Sequence, residues 1–185
     1  MLYIALLHYP VYNKDGKVVT TAVVNMDIHD IARASRTYGV RNFFVVNPID
    51  AQLDRAGEII SHWSQGYGAV FNPLRREALS LVRLKTNLEE VKTEIAGQTG
   101  YTPQVIVTSA NFQDGILTCS GLQKMISNDS LPYLLIFGTG WGIAEEIVNG
   151  ADYCLEPIKG LDSYNHLPVR SAVAIVLDRI IRKSD

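Results

Sequence analysis

Short apolar runs alternate along the chain with longer segments in which apolar residues recur at helical spacing. The runs are rich in Val, Ile, Leu, Tyr and Phe, which favour buried strands, and they cover Leu2–His8, Asn42–Asn47, Gln104–Ser109, Tyr133–Phe137 and Tyr153–Leu155. Because strands and helices alternate, the pattern predicts an α/β fold with a mainly parallel sheet and helices on both faces.

Helical spacing predicts a first helix over about Asp27–Tyr38, which Gly39 ends, and a second over about Asp50–Gln65. The closing helix is predicted over about Val169–Arg182. Two apolar faces support the first and last helices: Ile28, Ile31, Ala32 and Ser35, and Ala172, Val173, Val176, Leu177 and Ile180.

The segment from Pro73 to Gly100 is also helical in pattern, but it is interrupted at Lys85–Asn87. Thr86 and Glu89 form a T-x-x-E capping box there, which is typical of a helix start. The sequence therefore predicts two helices in this segment.

Length and composition fit one domain over residues 1–185, since the chain is 47% hydrophobic and can form a substantial core. No apolar run approaches the roughly 20 residues of a membrane-spanning helix. The first residues lack a basic flank and a cleavage signal, so we expect a cytoplasmic protein. Two cysteines and four dispersed histidines predict neither a disulfide framework nor a metal site.

The net charge is -2, which does not favour nucleic-acid binding because phosphate contacts need concentrated Lys and Arg. Such a function must depend on local basic clusters, and a solvated helix face is the alternative interpretation of each. The clusters are Arg33 with Arg36 and Arg41, Arg75 with Arg76, Arg83 and Lys85, and Arg179 with Arg182 and Lys183.

The most informative segment is LLIFGTGWGIAEE, Leu134–Glu146, in which a buried strand precedes Gly138, Gly140, Gly142 and a helix. Glycines leave backbone amides uncovered, so a ligand can lie on the main chain at the carboxyl end of the sheet. A Gly140→Val change should then abolish ligand binding while the fold survives. A tight strand-to-helix turn is the alternative. The spacing G-x-G-x-x-G and the Walker lysine are missing, which disfavours a dinucleotide loop and excludes a P-loop.

Two further loops follow strand ends. LEPIKGLDSYNHLPVRSAVA, Leu155–Ala174, is dense in turn and polar residues, which favours a functional loop. Alternatively, Asn165 is a helix cap and His166 a surface histidine. TSANFQDG, Thr108–Gly115, offers small and hydroxylated groups that suit a ribose or a carboxylate, unless it is a plain β-to-α loop.

Together, the glycine loop after a penultimate strand and the loop before an Ala-rich last helix resemble the SPOUT class of RNA methyltransferases. The first helix, DIHDIARASRTYG, is similar to the N-x-x-x-I-x-R-T-x-x-x-x-G helix of ribose-methylating members. It keeps Ile31, Arg33 and Gly39 but has Asp27 in place of the Asn. The chain most resembles small stand-alone bacterial SPOUT proteins that are sometimes joined to tRNA guanine-N1 methyltransferase.

This resemblance implies a C-terminal trefoil knot (the SPOUT, or α/β-knot, fold) and S-adenosyl-L-methionine as the cofactor, bent within the knot. The expected cofactor-binding residues come from the three loops and the start of the last helix: Thr108, Ser109, Ala110, Gly138, Thr139, Gly140, Trp141, Gly142, Leu155, Ile158, Gly160, Asn165, His166, Leu167, Val169 and Ala172.

The resemblance also implies methylation of tRNA or rRNA by a homodimer. Arg33 resembles the arginine of ribose 2′-O-methylating members, and Asp162 lies where base-methylating relatives carry a general base. Alternatively, Arg33 pairs with Asp27 or Asp30, and Asp162 only hydrogen-bonds its own turn. Base methylation is slightly favoured because the ribose-type Asn is absent. Two other functions remain open: RNA binding or assembly without turnover, and a nucleotide-dependent oxidoreductase on a doubly wound sheet.

Overall fold

A computed structural model of the chain describes residues 1–65, 67–110, 116–162 and 164–182. The strands in this part are β1 (Leu2–Leu7), β2 (Val11–Tyr12), β3 (Val18–Val19), β4 (Phe43–Val46), β5 (Val82–Lys85), β6 (Gln104–Val107), β7 (Ile116–Leu117), β8 (Tyr133–Gly138) and β9 (Tyr153–Leu155). The helices are α1 (Asn25–Thr37), α2 (Asp50–Ser64), α3 (Tyr67–Phe71), α4 (Pro73–Leu79), α5 (Leu88–Thr99), α6 (Cys119–Asn128), α7 (Glu145–Asn149) and α8 (Val169–Ile181).

Seven of these strands form one parallel sheet in the order β5-β4-β1-β8-β6-β9-β7. Strand β1 shows how both faces are covered, because all its residues are buried and alternate ones point to opposite faces. Leu2, Ile4 and Leu6 belong to the core beneath α1, α2, α4, α6 and α8. Tyr3 and Leu7 belong to the core beneath α5 and α7. The predicted fold class, a mainly parallel sheet with helices on both faces, is confirmed.

One strand and one helix cap were predicted wrongly. Val82–Lys85 is strand β5 at the sheet edge, where the spacing indicated the end of a helix. The N-cap of α5 is Asn87, whose side-chain oxygen accepts from the Glu90 backbone N–H at 2.9 Å. Glu90 in turn accepts from the Thr86 backbone N–H, so the capping residues lie one position later than the predicted Thr86 and Glu89.

Strand β9 lies between β6 and β7, although β6 and β7 come first in the chain. The connection from β6 to β7 must therefore pass the end of β9. The knot depends on how this connection passes the chain that leaves β9, and residues 111–115 lie outside the described residues, as does the second half of the predicted Thr108–Gly115 loop. The trefoil knot stays a prediction of the family resemblance.

A short ribbon, formed by the antiparallel strands β2 and β3, packs against the segment after β8. The Tyr12 backbone N–H donates to the Gly142 carbonyl at 2.8 Å, and the Trp141 N–H donates to the Tyr12 carbonyl at 2.9 Å. Val11 also forms an antiparallel bridge with Ile143. The sequence assigned no role to this ribbon, yet it holds the predicted glycine loop.

The described helices are too short or too polar to cross a bilayer. Within the same residues, no cluster of three or more His, Cys, Asp or Glu side chains is arranged to hold a metal ion.

Candidate active site

A cleft of about 670 Å³ opens at the carboxyl ends of β6, β8 and β9. This volume lies within the range of roughly 300–1,000 Å³ that is common for cofactor sites. Fourteen of the sixteen predicted cofactor-binding residues line it: Thr108, Ser109, Ala110, Gly138, Thr139, Gly140, Trp141, Gly142, Ile158, Asn165, His166, Leu167, Val169 and Ala172. The fold thus brings the three predicted loops together.

Two predicted cofactor-binding residues do not line the cleft. Leu155 is fully buried in the core as the last residue of β9, so its side chain packs under the cleft floor. Gly160 is exposed in the following loop, and a Cβ there would lie 2.7 Å from the Tyr164 carbonyl oxygen. The glycine at this position thus permits a tight loop.

The sequence missed part of the cleft lining. Thr21, Ala22, Val24 and Asp27 enter the cleft from the end of the ribbon and the first turn of α1, and the other missed residues are Phe137, Ile143, Glu156, Pro157, Pro168 and Val176. The sequence noted Asp27 as a departure from the helix motif and as an alternative partner of Arg33, but not as a cleft residue. Its position in the ribose-type motif was the one signal that could have placed it at a ligand site.

Each of the three positions in the loop after β8 favours glycine for a different structural reason. A Cβ at Gly138 would lie 2.5 Å from a side-chain carbon of Ile143, so the loop could not fold back as closely. Gly140 has φ +61°, and its Cβ would lie 2.7 Å from the Tyr12 carbonyl oxygen. Gly142 has φ +117° and faces open space on the cleft, which is the uncovered backbone that a ligand needs.

This geometry corrects the expectation for Gly140→Val. A side chain at Gly140 collides with the ribbon backbone rather than with a ligand, so the substitution disturbs the packing of residues near Tyr12. Gly142 is the glycine of this loop that leaves main chain open to the cleft.

A partly buried cluster of polar side chains fixes the glycine loop to the sheet. The Thr139 hydroxyl bonds the Thr21 hydroxyl at 2.5 Å and donates to the Leu7 carbonyl at 3.2 Å. Thr21 also bonds His8 Nδ1 at 3.0 Å, and His8 is fully buried. Burial lowers the pKa of His8 to about 4, so its ring is neutral at physiological pH. The cluster connects the ribbon, β1 and β8 without adding charge to the cleft.

Asp27 contributes a buried carboxylate to the cleft. Its side chain is 3.3 Å from Nη1 of Arg170 on α8, and Arg170 Nε is 3.5 Å from Asp30. Burial raises the pKa of Asp27, while the hydrogen bond and charge of Arg170 oppose that shift. Arg170 therefore takes the place of Arg33, which the sequence offered as an alternative partner of Asp27 and Asp30.

The two predicted catalytic residues lie outside the cleft lining. Arg33 is exposed on α1, six residues beyond Asp27, which corresponds to about 9 Å along the helix axis. Asp162 is exposed and accepts a hydrogen bond from the Tyr164 backbone N–H at 2.8 Å, as in the alternative interpretation of a turn residue. The structure brings neither side chain to the residues of the glycine loop.

Glu156 is the second carboxylate at the cleft, but its oxygen accepts from the Cys119 backbone N–H at 2.7 Å. That hydrogen bond lowers the pKa of Glu156 and ties the carboxylate to the start of α6. Of these two carboxylates among the described cleft residues, Asp27 is thus the one whose hydrogen-bond partner is a side chain and not the backbone.

Asn165 departs from its alternative interpretation as a helix cap, whereas His166 is exposed, as expected of a surface histidine, and also lines the cleft. Asn165 donates from its side-chain nitrogen to the Ala110 carbonyl at 3.4 Å, joining two cleft loops, while Pro168 is the N-cap of α8. His166 lies edge-on to Tyr164, with ring centroids 5.4 Å apart, and lines the cleft.

The fold is similar to that of solved methyltransferases. Against TrmJ from Z. mobilis ZM4, the match covers 98% of this chain and 68% of that one, with a TM-score of 0.63 at 15% identity. At this identity the likeness shows the fold, a parallel sheet with helices on both faces, which the sequence resemblance implied.

The chain belongs to the family of S-adenosylmethionine-dependent RNA methyltransferases, whose pattern it matches over residues 1–182. It is 42% identical to an uncharacterized protein of Aquifex aeolicus, over 99% of this chain and 89% of that protein. It is also 42% identical to a tRNA (guanine-N(1)-)-methyltransferase of Oleidesulfovibrio alaskensis, over 97% of this chain. The match spans 42% of the length of that enzyme. Family membership disfavours the oxidoreductase and confirms the predicted cofactor class.

Proposed function

We propose that this chain methylates a base nitrogen of tRNA, with S-adenosylmethionine bound in the cleft described above. The observation that carries the proposal is the buried Asp27 carboxylate, which faces the same cleft as the open backbone of Gly142. The cleft thus combines a surface for a small ligand with a group that can accept a proton. A base N–H needs such an acceptor when it becomes a nucleophile.

The cleft lining fits the cofactor in chemistry. The main chain at Gly142 is open, and Ile158, Leu167 and Ala172 offer apolar contacts for a flat ring. Thr108 and Asn165 offer polar groups for hydroxyl or carboxylate oxygens. When bound, S-adenosylmethionine supplies a methyl group carried on a positively charged sulfur. The remaining work of the protein is alignment and exclusion of water, and alignment of reactants can contribute roughly 7–11 kcal/mol to a rate.

We propose Asp27, instead of Asp162, as the proton acceptor. Arg170 holds the carboxylate in place and opposes the rise in its pKa, whereas burial, the larger effect, makes Asp27 more basic than an ordinary aspartate. An oxygen of Asp27 then takes the proton of the base N–H as the nitrogen reacts. Arg33 is proposed to contact RNA phosphate, because it is exposed on the same helix as Asp27.

The choice of tRNA, and of a base rather than a ribose, is supported by two observations. Relatives that share 42% and 41% identity with this chain are named tRNA (guanine-N(1)-)-methyltransferases. The position that is Asn in the ribose-type helix motif is Asp27 here, and a carboxylate can accept a proton that an amide cannot.

We further propose that the enzyme is a cytoplasmic homodimer in which residues 1–185 form one knotted domain. The rim of the cleft supports a dimer, because large apolar side chains there are exposed in the single chain. Trp141 is 66% exposed and Leu161 and Tyr164 are more exposed still. A second copy that covers this rim would also exclude water from the cleft. A monomer at micromolar concentration in sedimentation would count against this arrangement.

The proposal is tested by transfer of labelled methyl groups to tRNA, followed by nucleoside analysis. We expect a base-methylated product, and a 2′-O-methyl product would overturn the base assignment. Absence of label in any RNA fraction, with cofactor binding intact by calorimetry, would favour an RNA-binding protein without turnover.

The role of Asp27 is tested with Asp27→Asn, which keeps the size of the side chain. We expect the methylation rate to fall by about 10²–10⁴-fold while cofactor affinity stays unchanged. The wild-type rate should fall on acidification as Asp27 takes up a proton, and this dependence should vanish in the variant. Glu156→Gln is the matched control at the cleft, and an equal loss of rate there would argue against a special role for Asp27.

A further inference from the structure

Among the described residues outside the cleft, a group of aromatic and basic side chains lies where α1, α2, α3 and α4 meet. We call it the aromatic-basic surface and define it by Arg33, Trp63, Tyr67, Phe71 and Arg75. We propose that this surface binds a single-stranded segment of the substrate RNA next to the methylation site. The proposal rests on the proposed function, since it concerns the same RNA.

Two aromatic rings form the outer part of this surface. Tyr67 and Phe71 of α3 are 77% and 72% exposed, and their rings stack with centroids 6.0 Å apart. Helix α3 packs close to α2, and Gly68 permits this approach. A Cβ at Gly68 would lie only 2.7 Å from a ring carbon of Trp63. The exposed rings are therefore presented by a tightly packed backbone, and exposed aromatic faces are what unpaired bases stack on.

Positive charge on the aromatic-basic surface lies beside Trp63. The Arg75 guanidinium sits 4.2 Å from the centre of the Trp63 ring, and Arg33 projects from α1. Within the described part of the chain neither arginine has an acidic partner, unlike Arg36, which pairs with Glu77.

His29 reports the local charge of the surface. It packs edge-on against Trp63 at 5.7 Å. Its pKa is lowered by burial and then by the nearby charges of Arg75 and Arg33, against which only Asp30 acts in the opposite direction. Arg75 of α4 and Arg33 of α1 therefore both contribute positive charge at the same histidine.

The combination favours RNA over another protein as the occupant. The whole chain has a net charge of -2, so two arginines without acidic partners among the described residues are a local departure from its general charge. Phosphates require such cations, and bases require such rings, whereas an apolar partner would use the rings and leave the arginines unpaired. Val70 and Leu74 are also exposed nearby, so a second copy of this chain is the competing occupant.

Helix α1 contributes a residue both to the cleft and to the aromatic-basic surface. Asp27 in the first turn of α1 lines the cleft, and Arg33 lies about 9 Å further along the same helix. One RNA strand can thus place its target base in the cleft and its neighbours along α1. The proposal explains how an acidic protein obtains affinity for a polyanion.

The test measures tRNA binding by fluorescence anisotropy for the double variant Tyr67→Ala, Phe71→Ala. We expect binding to weaken by at least about 30-fold, because two stacking faces are lost. The KM for tRNA should rise while the kcat at saturating tRNA and the cofactor affinity stay unchanged. Tyr101→Ala is the matched control, since Tyr101 is an exposed aromatic residue near the amino end of β6.

A second variant tests the charge. Arg75→Gln should reduce the slope of log Kd against log salt concentration by about 0.7–0.9, as expected for one lost phosphate contact. Arg41→Gln is its control, because Arg41 is exposed just before β4 and is not part of the aromatic-basic surface. Far-ultraviolet circular dichroism checks that each variant is folded.

The outcomes separate the surface from the proposed function. If the wild type and both surface variants bind and methylate tRNA equally well, the proposed RNA-binding role of this surface is refuted and the proposed function is retained. If the double variant changes the sedimentation coefficient but not RNA affinity, the occupant is a second copy and the proposal is overturned. If the wild type binds no RNA, both the surface and the proposed function fail.

Discussion

Replacement of Gly140 by Ala separates backbone strain from contact with the ribbon. Gly140 has φ +61°, and a non-glycine residue in this region costs about 1–2 kcal/mol. The new methyl group also lies 2.7 Å from the Tyr12 carbonyl oxygen, which accepts the Trp141 N–H. Displacing that oxygen weakens a hydrogen bond of about 0.5–1.5 kcal/mol. We therefore expect the free energy of unfolding to fall by about 2–3 kcal/mol.

Gly39 provides the matched control. It has φ +72° at the end of α1, and a Cβ there meets nothing within 4 Å, so Gly39→Ala carries the strain alone. Urea unfolding of both variants gives the difference, and calorimetry with S-adenosylmethionine should show weaker binding for Gly140→Ala only. Equal losses of stability in the two variants would refute the argument that the Tyr12 contact requires glycine.

Two further predictions concern stability. Burial lowers the pKa of His8 from 6.5 to about 4 in the folded protein. Between these two pH values the unfolded state therefore binds more protons than the folded state. The free energy of unfolding should fall by up to about 3 kcal/mol as the pH drops from 6.5 to about 4. A His8→Asn variant should lose this part of the pH dependence in urea unfolding, and parallel profiles for both proteins would contradict it. Asn87→Ala should cost about 1 kcal/mol of stability because Asn87 caps α5, whereas Glu89→Ala should cost little, and the reverse order would restore the predicted capping box.

The central strands were predictable because their residues are apolar on both sides. Phe43–Val46 is wholly buried, so a plain run of apolar residues indicates it. Strand β5 lies at the edge of the sheet and carries the half-exposed Arg83 and Lys85, which removes that signal. The sequence V-R-L-K between two helices therefore resembles helix spacing, and only pairing with β4 makes it a strand.

The cleft was predictable where local sequence carries the reason and not where distant contacts do. The glycine loop is visible because three glycines follow a buried strand. The contact between Thr21 and Thr139 joins residues 118 positions apart and has no periodic pattern, so the ribbon side of the cleft was missed. The sequence indicated Asp162 in the loop as the general base, whereas packing of α1 against α8 brings the Asp27 carboxylate to the cleft.

The packing of the ribbon against the glycine loop also affects the order in which the chain can fold. The cleft takes Thr21 from the first part of the chain and Val169–Val176 from the last. Contacts of such long sequence separation form slowly, and during synthesis the later half of the pair does not yet exist. A nascent chain therefore has no complete pocket until α8 has left the ribosome, so the cofactor can stabilise only chains in which α8 has already been made.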